Sequence, residues 1–210
     1  MFKNITAITI AFAILLFIAF AIYKNHTKPI SVTIQAGHEG RDDGNTGSSN
    51  GKYREVDWNI FVANEVAKTL NRWGIDTKRV GATIPKGIKT KAALSIHFDG
   101  SKRVCSTGAS IGYPNSASKD LALRWRRVYK SYFPFKWHKD NYTANLKDYY
   151  GFKQIEAKKF LVLELGEISC DRQVRWLKPR LKTIAHLIAA TIAKDFGIDA
   201  YVKGYGKKIE

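Results

Sequence analysis

Hydrophobic and polar positions divide this chain into two unequal parts. From Ile5 to Tyr23 no residue is charged and no polar stripe develops, while Lys3 precedes the run and Lys24, His26 and Lys28 follow it. A run of that length is about what a helix needs to cross a bilayer. Apolar side chains on every face at the extreme N-terminus argue against an ordinary core helix. The small-x-small form of Ala19-Phe20-Ala21 also suits signal peptidase, so an uncleaved anchor and a removed signal peptide both fit. Because the apolar run continues through Ile22 and Tyr23, the anchor is favoured. Lys24 and Lys28 outnumber Lys3, which alone favours a cytoplasmic C-terminus, but long domains translocate largely regardless of such charges.

Beyond residue 30 the periodicity alternates between that of strands and that of helices. Ser31 to Ala36 is β-rich and runs into Gly37, and Gly37 to Gly51 holds five glycines among Asp, Asn and Ser, the composition of an irregular loop. Val56, Ile60, Ala63, Ala67 and Leu70 then recur at helical spacing and predict an amphipathic helix from Glu55 to about Gly74. Strands are expected over Ile75 to Val80, Ala92 to Phe98 and Ala109 to Tyr113. A helix is expected over Ser116 to Tyr132, with Ser116 or Ser118 as its N-cap. The nearly unbroken apolar run Lys159 to Leu165 suits a central strand buried on both faces, and a last helix covers Gln173 to Phe196. Strands alternating with helices predict one α/β domain over residues 30–210, its mostly parallel or mixed central sheet flanked by helices on both faces. Residues 1–29 form a hydrophobic helix and linker ahead of it.

Composition changes this picture in two respects. At 45% hydrophobic, the 210 residues carry enough apolar material for a compact core, which excludes general disorder. The formal net charge is +17; residues 1–29 hold three lysines and no acid, so +14 remains on the domain. Such a field attracts polyanions, whether nucleic acid, anionic lipid or anionic wall polymer, and does not choose among them. Cys105 and Cys170 are the two cysteines, without a CxxC, which excludes a zinc ribbon or a thioredoxin-like motif. One disulfide in an oxidising compartment and two buried thiols both fit.

Candidate chemistry gathers at the ends of the expected elements. His38 follows the first strand, Glu55 opens the first helix and His97 ends a later strand. Two imidazoles and a carboxylate, with a fourth position for water, make a catalytic zinc set. Each residue alone is weak: an isolated His is usually hydrogen-bonded structure, and a Glu at a helix start often serves only the helix dipole.

Their contexts carry more. His38 lies in Gly37-His38-Glu39-Gly40, Glu55 precedes Val56-Asp57-Trp58-Asn59, His97 lies in Ser95-Ile96-His97-Phe98-Asp99, and a late strand ends Leu163-Glu164-Leu165-Gly166-Glu167-Ile168-Ser169-Cys170. In this order the pieces resemble the zinc-dependent N-acetylmuramoyl-L-alanine amidases of the type 3 family over about residues 31 to 196. That resemblance implies Zn2+ held by His38, Glu55 and His97, and Glu164 as the catalytic carboxylate. It further implies peptidoglycan as the substrate and an extracytoplasmic place in the cell envelope, reached through the N-terminal segment, at the membrane or after secretion. Asp99, Glu167 and Cys170 depart from the family's Asn, Phe and Asn, and Glu167 offers a second carboxylate for the acid/base role. These departures keep open a related zinc peptidase acting on wall peptides, and a catalytically inactive membrane-tethered wall-binding module.

Arg124 to Lys153 is both basic and aromatic. It suits a glycan-facing platform, a stacking surface for single-stranded nucleic acid, or core filling; nucleic acid is the less favoured partner, since only charge and these aromatics speak for it. His138 and His186 are expected to be structural. No Gly-x-Ser-x-Gly elbow surrounds Ser95 or Ser169, so a serine nucleophile is not expected.

Overall fold

The computed structural model describes residues 14–16 and 30–202. The expected N-terminal membrane segment lies outside the described residues apart from Ile14, Leu15 and Leu16, which are helical and exposed. Among the described residues no helix is long and apolar enough to cross a membrane.

Residues 30–202 build one α/β domain on a five-stranded sheet. Its strands are β1 (Val32–Ala36), β2 (Thr77–Val80), β3 (Ile88–Asp99), β4 (Ala109–Gly112) and β5 (Ile155–Glu167), in spatial order β2-β1-β3-β5-β4. All neighbours are parallel except the edge strand β4, which runs antiparallel to β5, so the sheet is mixed as expected. The helices are α1 (Glu55–Arg72), α2 (Lys119–Lys130), the single turns α3 (Ala144–Lys147) and α4 (Gly151–Gln154), then α5 (Asp171–Leu177) and α6 (Leu181–Ala193).

Period-2 alternation along the strands decides what each face does. Val32, Ile34 and Ala36 of β1, Leu94, Ile96 and Phe98 of β3, and Leu161, Leu163 and Leu165 of β5 share one buried cluster with α1, α2 and α6. The three long helices therefore lie together on one face. Intervening residues point the other way, where Ala93, Val162 and Phe160 pack with Leu146 and Tyr149 beneath α3 and α4. Helices flank both faces as expected, but unevenly, and the thinly covered face carries Gln35, Ser95, His97 and Glu164.

Two local expectations are corrected. The helix foreseen over Gln173 to Phe196 is α5, a 3-10 turn at Lys178–Arg180, α6 and a second 3-10 turn at Lys194–Phe196. Pro179 causes the break, having no N–H to donate and a ring that clashes with the preceding turn. At the start of the Ser116 segment the cap is Asn115, whose side-chain oxygen accepts the Ser118 N–H at 3.2 Å ahead of a 3-10 turn. Ser118 does stand at the N-cap position of α2, but its hydroxyl makes no capping bond and instead accepts the Phe160 N–H at 3.0 Å.

Of the two states open to the cysteines, the structure has the disulfide, Cys105–Cys170, which ties the loop after β3 to the segment after β5 across 65 residues. A crosslink that closes a long loop removes entropy from the unfolded chain. The Cys105→Ser/Cys170→Ser double variant is expected to lose about 2–4 kcal/mol of stability, measured by urea denaturation at equilibrium.

Candidate active site

The site forms where the carboxyl ends of β1, β3 and β5 meet the N-terminus of α1, the end of the sheet at which α/β folds usually bind ligands. A cleft there is lined by His38, Glu55, His97, Asp99, Tyr149 and Glu164, among others. The structure brings together the three residues proposed as ligands from the sequence: one donor atom from each of His38, Glu55 and His97 falls within 4.8 Å of the others. Glu55 Oε1 is their meeting point, 3.3 Å from His38 Nε2 and 3.0 Å from His97 Nδ1.

Each residue is locked from behind. His38 sits just after β1 with φ of 65°, a left-handed conformation that costs a non-glycine residue energy and persists only when its surroundings enforce it. Its Nδ1 donates to the Asn45 carbonyl at 3.0 Å, so in the neutral ring the lone pair sits on Nε2, which faces the cluster. Glu55 is buried, and its Oε2 accepts the Ser48 N–H at 2.8 Å. His97 Nε2 meets the Tyr149 hydroxyl at 3.2 Å, opposite its cluster-facing Nδ1. Glycine is required at two of these contacts: a Cβ on Gly37 would collide with the His97 ring, and one on Gly47 with the Glu55 carboxylate.

Charge follows from this packing. Burial raises the Glu55 carboxyl pKa, but hydrogen bonds and charge from both histidines outweigh it and hold the group well below the usual carboxylate range. Burial pulls the His38 imidazole down, yet Glu55 and the Asn45 carbonyl more than compensate, and the net shift is upward. The triad is thus a tightly coupled anion–imidazole cluster with nitrogen and oxygen donors, a set that suits zinc.

Glu164 lies directly across from His97 in the β3–β5 register. Its Oε2 is buried and has no hydrogen-bond partner in the protein, the condition of a group that awaits a ligand or water rather than one that braces the fold. Burial first, then the charges of Glu55 and Asp99, push its carboxyl well above the ordinary range.

Glu167 has the opposite character. Fully buried, it accepts the Cys105 and Thr107 N–H groups at 2.8 and 2.9 Å and the Ser169 hydroxyl at 2.7 Å, so it braces the loop after β3. Glu167 does not line the cleft. Asp99 does, and it is tied down as well: Oδ1 accepts the Gly100 N–H at 2.8 Å and Oδ2 the Thr107 hydroxyl at 2.5 Å.

The basic, aromatic stretch from Arg124 splits in two. Trp125, Tyr129 and Phe133 stack inside the core, whereas Tyr149 and Tyr150 form a cleft wall with Arg41 over the Tyr150 ring. His138, expected to be structural, bonds Thr107 Oγ1 at 2.9 Å and stacks on Tyr142. His186 lies on α6, away from the cleft. Sequence reasoning missed Gln35, Ser95 and the particular role of Tyr149. A signal was present in part, because Gln35 and Ser95 are polar residues between apolar neighbours, both in phase with the site rather than with the core.

Comparison with known proteins identifies the family and the fold. The family model described as N-acetylmuramoyl-L-alanine amidase matches residues 32–194, although no curated protein sequence matches the chain. Among solved structures, the catalytic domain of CwlV, an N-acetylmuramoyl-L-alanine amidase from Bacillus (Paenibacillus) polymyxa var. colistinus, superposes with a TM-score of 0.60 at 20% identity, covering 80% of this chain and 98% of that one. An N-acetylmuramoyl-L-alanine amidase from Clostridium difficile 630 gives 0.60 at 18% identity, over 83% and 100%. AmiC2 of Nostoc punctiforme gives 0.60 at 17%, over 80% and 98%. At these identities the structures establish a shared fold, and the family match covers nearly the whole of it: the chain belongs to the N-acetylmuramoyl-L-alanine amidase family of peptidoglycan hydrolases.

Proposed function

We propose that residues 30–210 hydrolyse the amide between N-acetylmuramic acid and L-alanine in peptidoglycan, with His38, Glu55 and His97 holding zinc and Glu164 transferring the proton. The observation that carries this reading is the convergence of three zinc-type donors beside a carboxylate oxygen that has no partner of its own. Zinc bound there would polarise the amide carbonyl and lower the pKa of water toward about 7.

The chain's own groups do the rest. Glu164 takes a proton at Oε2 and returns it to the leaving L-alanine nitrogen, and burial beside Glu55 and Asp99 gives it the basicity to hold that proton between the two steps. His38 and His97 are kept in fixed ring orientations by the Asn45 carbonyl and Tyr149. The polar wall of Tyr149 and Tyr150, with Arg41 beside it, would orient a glycan or peptide arm.

Work outside the cytoplasm follows from the substrate, and the Cys105–Cys170 disulfide supports it, because such bonds persist in oxidising compartments. We assign residues 1–29 to a membrane anchor or export signal, and the +14 charge of the domain to attraction of anionic wall polymers.

Mass spectrometry of purified peptidoglycan after digestion by the zinc-loaded protein tests the central claim. Free muramic lactyl groups and new N-terminal alanine are expected; peptides cut elsewhere would assign the chain to a wall peptidase. Chelation should abolish this activity and zinc readdition restore it. By elemental analysis, His38→Ala, His97→Ala and Gly37→Ala should each lose metal, the last because the new Cβ displaces the His97 ring.

A paired substitution separates the two carboxylates. Glu164→Gln should retain zinc and fold while activity falls by about 10²-fold or more, the usual contribution of an acid–base group. Glu167→Gln should instead lose about 1–3 kcal/mol of stability, since an amide NH2 must face one of its backbone N–H donors, while activity per folded molecule stays close to wild type.

A further inference from the structure

Behind His97 lies a closed set of polar groups in which donors and acceptors can be counted. Gln35 Nε2 faces the Gly81 carbonyl at 3.2 Å; because a carbonyl only accepts, this fixes the amide orientation and makes Gln35 Oε1 the acceptor. The same Nε2 donates to the Tyr150 hydroxyl at 2.7 Å, and Tyr150 passes its own proton to the Ala82 carbonyl at 2.9 Å. On the other side, Gln35 Oε1, the Ser95 hydroxyl and the Tyr149 hydroxyl form a triangle of contacts of 2.7, 2.8 and 2.7 Å.

Three short oxygen–oxygen contacts share two hydroxyl protons, one from Ser95 and one from Tyr149. Any arrangement that keeps both protons inside the triangle leaves one contact without a proton. Spending the Tyr149 proton on His97 Nε2 would leave two bare, a costly outcome for buried oxygens. Tyr149 therefore has no proton to give His97 and can only accept from it. His97 Nε2, 3.2 Å from that hydroxyl, must carry the hydrogen.

We propose that Tyr149, oriented by Gln35, is a positioning residue that fixes the neutral His97 ring in the Nε2–H tautomer and keeps its Nδ1 lone pair free for a metal held with Glu55. This inference rests on the metal reading above and extends it to residues that do not themselves hold the metal. Neutral histidine has two tautomers, and the hydrogen bond behind a ligating ring sets which nitrogen is free. Without Tyr149, the protonated Nδ1 could donate to Glu55 Oε1 at 3.0 Å, a competitor that metal would have to displace.

Gln35 makes a sharper test than Tyr149 alone. In Gln35→Met the triangle collapses to a single Ser95–Tyr149 contact, which the serine proton satisfies, and the tyrosine proton becomes free to donate to His97 Nε2. That donation selects the tautomer with Nδ1 blocked.

The experiment uses the full chain in detergent with zinc alone as ligand. Affinity is measured by chelator competition, folding by thermal melting, and the His97 Nε2–H proton of the zinc-loaded protein by NMR exchange. Tyr149→Phe is expected to bind zinc about 10- to 100-fold more weakly and to lose protection of the Nε2–H proton. Gln35→Met should bind at least as weakly as Tyr149→Phe, and the double variant no more weakly than Gln35→Met, because removing the tyrosine removes the unwanted donor. Zinc bound equally by wild type and both single variants, losses that add in full, or weakened binding with an unchanged Nε2–H proton would each overturn the inference while leaving the metal site standing. A wild-type chain that takes no zinc would overturn the metal reading and this one together.

Discussion

The catalytic end of the molecule is arranged around one buried carboxylate. Glu55 Oε1 lies within hydrogen-bond or ion-pair reach of both His38 and His97, and Glu55 opens α1, so the helix delivers a negative charge to the point where two strands end. Isolated carboxylates are expensive to bury. Here the cost is offset by two imidazoles, the Ser48 N–H and the favourable N-terminal end of the helix dipole. Much of the surrounding backbone answers to that arrangement: Gly37 and Gly47 leave out the side chains that would strike His97 and Glu55, and His38 accepts a left-handed conformation to turn its ring inward.

The sheet supplies the second constraint. With a period of two, β3 places Ile96 and Phe98 under the long helices and therefore Ser95, His97 and Asp99 on the opposite face. A register shift of one residue would bury the chemistry and expose the core. The same alternation in β5 sets Leu163 and Leu165 inside and Glu164 outward. Fold and site are thus specified by one pattern, and the thin cover of α3 and α4 leaves room for a substrate cleft.

Much of this was legible in the sequence. β1, α1 and the late apolar strand announce themselves by periodicity, and His38, Glu55, His97 and Glu164 sit at element ends within recognisable pieces. What stayed hidden depends on distance or on face. Tyr149 lies in an aromatic-rich stretch that reads equally as core, and its partners Gln35, Ser95 and His97 are 114, 54 and 52 residues away. Periodicity states that a helix is amphipathic but not which face of the sheet it covers, so the uneven layering could not be foreseen. Glu167 looked like a second catalytic carboxylate because it lies only three positions beyond Glu164 along the chain. The irregularity that pairs Asp99 with Glu167 interrupts the strand's alternation there, and Glu167 meets the backbone N–H groups of the loop after β3 instead of the cleft.

Electrostatics then operates on two length scales that should not be confused. Over the whole domain the surplus is positive, and such a field acts on extended polyanions at a distance, limited by screening over about 8 Å at physiological ionic strength. Inside the cleft the balance is reversed: Glu55, Asp99 and Glu164 converge there, with Arg41 as the cationic side chain on its wall. The repulsion is visible in the upward displacement of Glu164, which burial begins and the other two carboxylates reinforce. A divalent cation relieves exactly this kind of crowding, since it offsets carboxylate charge at short range in a site where solvent screens poorly. Local acidity within a basic protein would let the surface gather an anionic polymer while the cleft retains a metal.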